Sequence, residues 1–137
     1  MNTHTDGTVV GKPRWWLRLD GLVLLVGSLA LFTTTGEPWW VVPLVIFLPD
    51  TFMLGYVGGT RLGASVYNLG HTYLAPALVA GIGLSSDNDT VTALGLLWLA
   101  HIGMDRAAGF GLKYDDAFGH THLGWLGRGS AKPDRTI

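Results

Sequence analysis

The sequence predicts an all-α integral membrane protein: a four-helix up-down bundle with both termini in the cytoplasm and a glycine-rich C-terminal tail. Charged residues make up only 14% of the 137 residues, whereas a soluble domain carries about 25%. Four apolar stretches approach the 20 or so residues that a membrane helix requires. They cover residues 17–34, 39–57, 62–84 and 90–109. Only short polar turns separate them, so neighbouring helices should be antiparallel.

The distribution of lysine and arginine predicts the orientation. All of them precede or begin the first stretch, lie between the second and third, or end or follow the fourth. The charged residues of the two loops on the other side are all acidic. Because cytoplasmic segments retain basic residues, we expect three parts: a disordered cytoplasmic segment 1–16, a membrane domain 17–109 and a cytoplasmic tail 110–137. A cleaved secretory signal in place of the first span is disfavoured, because no small-residue cleavage site follows.

Composition excludes several classes of function. The net charge of −1 leaves no basic surplus to bind a phosphate backbone, so nucleic acid is not an expected partner. The absence of cysteine excludes disulfides, thiolate metal sites and iron–sulfur clusters. Any metal must therefore be held by histidine, carboxylate or backbone oxygen.

Ionisable residues inside the predicted spans fall at one depth. Counting 1.5 Å per helical residue from the cytoplasmic ends, Asp50, His71 and His101 each lie ~12 Å deep and Asp105 lies ~6 Å deep. An ionisable side chain in a membrane costs about 2.5 to 3.5 kcal/mol. Three different spans deliver these groups to one layer, which predicts a shared polar pocket near the cytoplasmic side.

Imidazoles and carboxylates together are a ligand set for Zn²⁺ or non-haem iron. We expect Asp50, His71 and His101 to be ligands of a divalent metal, zinc or iron. The tail can fold back as a lid and add His122 as a further ligand. Asp105 is expected to act in catalysis, either on the metal or by orienting His101.

The neighbourhood of this pocket supplies further candidates. Tyr67 lies one turn before His71 and is assigned to catalysis. Asp20, Asn68 and Arg106 are expected to contact substrate or support the ligands. Two of these have simpler interpretations: Asp20 can cap the start of the first helix, and Arg106 can extend to the membrane surface.

The leading functional hypothesis is a metal-dependent hydrolase or oxidoreductase that acts on a lipid or another lipophilic small molecule at the cytoplasmic side of the membrane. A haem b electron carrier with His71 and His101 as axial ligands is one alternative. Another is a proton-coupled transporter, which four short helices could form only as a homo-oligomer. In the last, the polar groups only hold helices together.

Linked motifs across residues 17–127 resemble one family. They are Leu17-Arg18-Leu19-Asp20-Gly21, Leu48-Pro49-Asp50 with Met53-Leu54-Gly55-Tyr56, Tyr67-Asn68-Leu69-Gly70-His71, His101-Ile102-Gly103-Met104-Asp105-Arg106, Gly109-Phe110-Gly111-Leu112-Lys113-Tyr114 and Thr121-His122-Leu123-Gly124. The chain is similar to the small bacterial membrane proteins of the domain of unknown function 4260 family. The resemblance implies an integral protein of the bacterial cytoplasmic membrane and no particular activity. It also implies that an acidic residue commonly replaces His120, which argues against His120 as a ligand.

Overall fold

The structure of the chain, a computed structural model, describes residues 7–126 and is mostly helical. Four of its α-helices have 12 residues or more, and a long 3₁₀ helix lies between the first and second of these. The elements are α1 (Lys12–Phe32), a 3₁₀ turn (Thr33–Thr35), α2 (Val41–Val45), the 3₁₀ helix (Leu48–Gly58), α3 (Thr60–His71), α4 (Leu74–Ser85), α5 (Asp89–Ala108), β1 (His120–Thr121) and β2 (Gly124–Trp125).

The first helix starts earlier than predicted. α1 begins at Lys12, inside the segment 1–16 that was expected to be disordered, and Pro13 lies in its first turn, where a missing amide hydrogen costs nothing. Asp20 therefore lies more than two turns into the helix and cannot cap its start, so that interpretation was wrong. Together with its 3₁₀ turn, the helix spans Lys12–Thr35, which is long and apolar enough to cross a membrane.

The second predicted span is helical with an unexpected geometry. The segment Val41–Gly58 is also long and apolar enough to cross a membrane, but most of it is a 3₁₀ helix of 11 residues. Runs longer than three or four residues are uncommon for this type of helix. The prolines in this part of the chain lack an amide hydrogen and weaken an α-helical hydrogen-bond ladder, in agreement with the observed geometry.

The third predicted span is two helices and not one. α3 ends at His71, Thr72 is extended with a ψ of 158°, and α4 begins at Leu74. Pro76 explains this break, because it has no amide hydrogen for the carbonyl of Thr72 and its ring would collide with that carbonyl in a continuous helix. Within residues 7–126, two segments and not four satisfy the length and hydropathy expected of a membrane span.

The fourth predicted span is the continuous helix α5, which forms the centre of the molecule. Asn88 caps its start by accepting a hydrogen bond of 3.0 Å from the amide of Val91. Gly109 ends it with a φ of +95°, a conformation that favours glycine. α5 packs against both α1 and α4, whereas α3 packs against the 3₁₀ helix.

The segment after α5 folds back onto the helices. β1 and β2 form a short antiparallel hairpin, and the amide of Val9 donates a 2.8 Å hydrogen bond to the carbonyl of His122. Leu123 and Thr121 are fully buried as a result. The part of the predicted cytoplasmic tail after residue 126 lies outside the described residues.

Candidate metal centre

Four side chains from three elements converge on one point. Asp50 comes from the first turn of the 3₁₀ helix, His71 from the last residue of α3, and His101 and Asp105 from successive turns of α5. One ligand atom from each residue lies within 4.8 Å of all the others. The structure thus brings together the three residues that depth counting placed in one layer, and it adds Asp105 to them.

The spacing of these atoms suits a metal ion. The two Nε2 atoms of His71 and His101 are 3.2 Å apart. His101 Nε2 lies 3.3 Å from both Asp50 Oδ1 and Asp105 Oδ2, and the corresponding distances from His71 Nε2 are 3.9 and 3.5 Å. Ligands bonded at 2.0 to 2.1 Å in a tetrahedron are about 3.3 Å from one another. Most of these separations match that value closely.

The orientation of His71 directs its Nε2 atom into the cluster. Its Nδ1 atom is 2.8 Å from the carbonyl of Tyr67 and, in that contact, donates its hydrogen. The Nε2 atom then carries the free electron pair that a metal requires. The Tyr67 ring stacks on the imidazole at a centroid distance of 3.8 Å, so Tyr67 fixes both the tautomer and the plane of the His71 ring.

The orientation of His101 is set mainly by packing. The ring of Phe47 meets it edge-on at 6.5 Å. Its buried Nδ1 atom faces the carbonyl of Ile46 without a hydrogen bond of good geometry. A metal on Nε2 makes the Nδ1 hydrogen a stronger donor, and a backbone carbonyl is a usual partner for it.

Asp50 is the most exposed of the four side chains in the cluster, and the other three are largely covered. The side chains of His71, His101 and Asp105 are 0%, 1% and 13% exposed, whereas that of Asp50 is 41% exposed. Two buried or half-buried carboxylates that face each other across two imidazoles need a cation or a proton between them. The donor set therefore fits a divalent metal.

Side chains pair with the carbonyls that the end of α3 leaves free. The indole nitrogen of Trp98 donates a 2.7 Å hydrogen bond to the carbonyl of Gly70. The guanidinium of Arg106 donates to the carbonyls of His71 and Phe110, at 2.9 and 3.0 Å. Arg106 is 5% exposed, so the simpler interpretation, in which it extends to the membrane surface, was wrong.

Asn68 anchors the C-terminal segment next to the cluster. Its side-chain amide donates to the carbonyl of Lys113 at 2.8 Å and accepts from the amide of the same residue at 2.7 Å. The ammonium of Lys113 lies over the rings of Phe118, Tyr67 and Tyr56, at 3.3, 4.7 and 5.3 Å. The segment thus covers Tyr67, the residue that stacks on His71.

Other predicted site residues lie apart from the four ligands. His122 was expected as a ligand, but its Nδ1 atom accepts a 2.8 Å hydrogen bond from the amide of Leu112, and it does not belong to the cluster. Asp20 is exposed on α1. His120 is buried, with its Nδ1 atom 2.8 Å from Asp116 and its ring stacked on Trp125.

Sequence reasoning missed Lys113 and Trp98. Lys113 was counted only as a cytoplasmic cation, since Tyr56 and Tyr67, two of the three aromatic residues around it, are distant in sequence. Trp98 was not singled out, although it lies one turn before His101, where its indole can reach the end of α3.

A shallow apolar groove adjoins the open side of the cluster. It has a volume of about 660 Å³ and lies entirely along the 3₁₀ helix and the residue before it. Among the described residues that line it, Asp50 alone is charged. The residues that line it are Phe47, Asp50, Thr51, Met53, Leu54, Tyr56 and Val57.

The comparisons with known proteins give a family and nothing further. The family described as Domain of unknown function (DUF4260) matches residues 14–126. No curated protein and no solved structure matches the chain. The matched region includes all four residues of the cluster.

Proposed function

Because the chain belongs to DUF4260, a family of unknown function, we propose its function from the site itself. The site supports a metal-dependent membrane enzyme, a hydrolase or an oxidoreductase, that acts on a lipid or another lipophilic small molecule. The observation that carries this proposal is the convergence of two Nε2 atoms and two carboxylate oxygens with spacings suited to a divalent metal. Asp50, His71, His101 and Asp105 would hold the ion.

The donor set indicates zinc or non-haem iron. Nitrogen and oxygen ligands without thiolates suit both metals, and a position left open to substrate is typical of catalytic sites. A bound metal would supply either an activated water or redox chemistry. Asp50 would form the accessible edge of the site, and Tyr67 and Trp98 would keep His71 in place.

The apolar surface of the helices supports a membrane location. Large side chains such as Val23, Leu44 and Leu54 point outward on the two segments that are long enough to cross a membrane. The distribution of basic residues supports cytoplasmic termini in a bacterial membrane. Membrane lipid is then the natural partner, and the oligomeric state is open to measurement by light scattering.

The haem alternative has less support. Two axial histidines hold the iron between their nitrogens, which requires a separation of about 4 Å at bonds of about 2 Å. The observed separation is 3.2 Å, and the carboxylates of Asp50 and Asp105 occupy the space beside it that a porphyrin would need. A proton relay or a purely structural role uses the same four groups and predicts no bound metal.

The test is elemental analysis and absorption spectroscopy of protein purified gently from metal-replete cells. We expect close to one zinc or iron per chain and no haem absorption band. Asp50→Asn, His71→Ala and His101→Ala should each lose the metal. Asp115→Asn and His122→Gln are matched controls outside the cluster and should retain it. A folded wild-type protein without metal, or site variants with the same metal content, would overturn the proposal.

A further inference from the structure

The groove along the 3₁₀ helix is continuous with the cluster through one residue. Asp50 contributes to both, because its Oδ1 atom lies 3.3 Å from His101 Nε2 while its side chain also lines the groove. The other groove residues offer hydrocarbon, aromatic or hydroxyl groups and no charge. The groove therefore has one polar end and an apolar body.

A ligand must approach the cluster from the groove side. The three other ligand side chains are almost completely covered, and the segment anchored by Asn68 and Lys113 covers Tyr67. Asp50 is the exposed member. A coordination position left vacant by the protein would thus face the groove.

The surroundings of the groove determine which chemistry can enter it. Leu54 and Val57 are 72% and 89% exposed, and they belong to the segment Val41–Gly58, which is apolar enough to lie in a membrane. In a bilayer this surface meets acyl chains and not water. The volume of about 660 Å³ is within the usual range for small-molecule sites.

We propose that the groove binds the alkyl chain of an amphiphile whose polar head reaches the metal at Asp50. This inference rests on the proposed function and specifies its substrate class: a molecule with a hydrocarbon chain and an oxygen-rich head group that enters sideways from the membrane. Leu54 and Val57 contact the chain, and Asp50 marks the position of the head.

Alkyl hydroxamates of different length provide a direct test, because the hydroxamate binds a metal and the chain probes the groove. Binding of acetohydroxamate and octanohydroxamate is measured on Co²⁺-loaded protein in lipid nanodiscs from the cobalt absorption spectrum. We expect the longer compound to bind more tightly. Leu54→Trp should lower the affinity ratio of the two compounds at least tenfold and leave acetohydroxamate binding unchanged.

Leu78→Trp is the matched control, since Leu78 is an exposed leucine on α4, away from the groove. It should change neither affinity. Val57→Trp is a second groove variant in case Leu54→Trp does not fold, which an altered cobalt spectrum would reveal. Equal ratios of the two hydroxamate affinities in the groove and control variants would overturn the inference without affecting the proposal of a metal site. Failure of wild-type protein to bind Co²⁺ would overturn the proposed function itself.

Discussion

The guanidinium of Arg106 donates a 2.9 Å hydrogen bond to the carbonyl of His71 and so joins α5 to the end of α3. α3 stops at a residue that is also a candidate metal ligand, and its last carbonyls have no partners within the helix. Arg106, the residue after Asp105, donates a hydrogen bond to one of these carbonyls. The position of His71 therefore depends on α5 even without a metal.

Replacement of Arg106 by methionine should destabilise the protein by about 1 to 3 kcal/mol, because the buried carbonyl of His71 would lose its donor and the carbonyl of Phe110 would lose its bond to the same side chain. Arg61→Met removes an exposed arginine whose one ion pair within residues 7–126 is with Asp115, and it should change stability by less than 1 kcal/mol. Denaturation of each variant in a mild detergent measures both changes in the free energy of unfolding. Equal effects would show that the Arg106 hydrogen bonds add nothing.

Gly21→Ala should disrupt the contact between α1 and α5. A methyl group at Gly21 would collide with Arg106 Cβ and lie 2.7 Å from the amide nitrogen of Ala107, so the helices would have to separate, at a cost of about 1 to 3 kcal/mol. Gly27→Ala, on the same helix, meets no atom within 4 Å and should cause no loss. Thermal unfolding of the two variants side by side measures the difference, and equal melting temperatures would contradict the close packing.

Acidification should loosen the C-terminal segment through His122. Burial, the larger cause, and the charge of Arg106, the smaller, lower the pKa of His122 below 6.5. His122 therefore binds a proton less readily in the folded chain than in the unfolded chain. The free energy of unfolding therefore keeps its full value above about pH 6.5 and declines as the pH falls below that value. Limited proteolysis of the segment at pH 7.5 and pH 5.5 tests this. His122→Asn, which cannot titrate, should show a smaller difference, and an unchanged one would exclude His122 as the cause.

Lys113 should release its proton at an unusually low pH. Burial lowers its pKa from 10.5 to about 8, although the charge of Asp105 acts in the opposite direction. Because the unfolded chain holds the proton up to the higher pKa, this residue favours folding progressively as the pH rises from about 8 towards 10. NMR titration of ¹³C-labelled lysine measures the pKa, and the exposed Lys12 is an internal control. A value near 10.5 would show that the contacts with the three rings outweigh burial.

The proposed orientation can be measured because the chain contains no cysteine. Single cysteines at Asp87 and Arg61 lie in predicted loops on opposite sides of the membrane. A membrane-impermeant maleimide added to intact cells should label Asp87→Cys and not Arg61→Cys. The reverse pattern would show that the chain has the opposite orientation in the membrane. Labelling of neither or both cysteines would contradict the predicted alternation of the spans.

The sequence predicted the cluster better than the helices that carry it. Counting residues from the charged ends of each span was sufficient to place Asp50, His71 and His101 together, because the rise per residue is similar enough over two turns to tolerate errors in the boundaries. The break at Thr72 was missed since hydropathy continues through it. Pro76 was the available signal, because a proline at this position removes the hydrogen bond to the carbonyl of Thr72 in a continuous helix.

Long-range partners account for the other errors. His122 was placed in the cluster on the basis of residue type, whereas the fold pairs it with the amide of Leu112. The simpler interpretation placed Arg106 at the membrane surface because arginine usually extends there, but the carbonyls it binds belong to residues 4 and 35 positions away. Such contacts depend on tertiary packing and leave no periodic pattern in the sequence.

The 3₁₀ geometry of Leu48–Gly58 makes the groove sensitive to the exact number of residues. A helix with three residues per turn places side chains three apart directly above one another, so Asp50, Met53 and Tyr56 form one column and Thr51, Leu54 and Val57 form the next. Deletion of one residue between Asp50 and Leu54 would rotate everything beyond it by about 120° and replace one column with another. Insertion of three residues would lengthen the columns without exchanging them, so natural length variation in this helix should occur in steps of three.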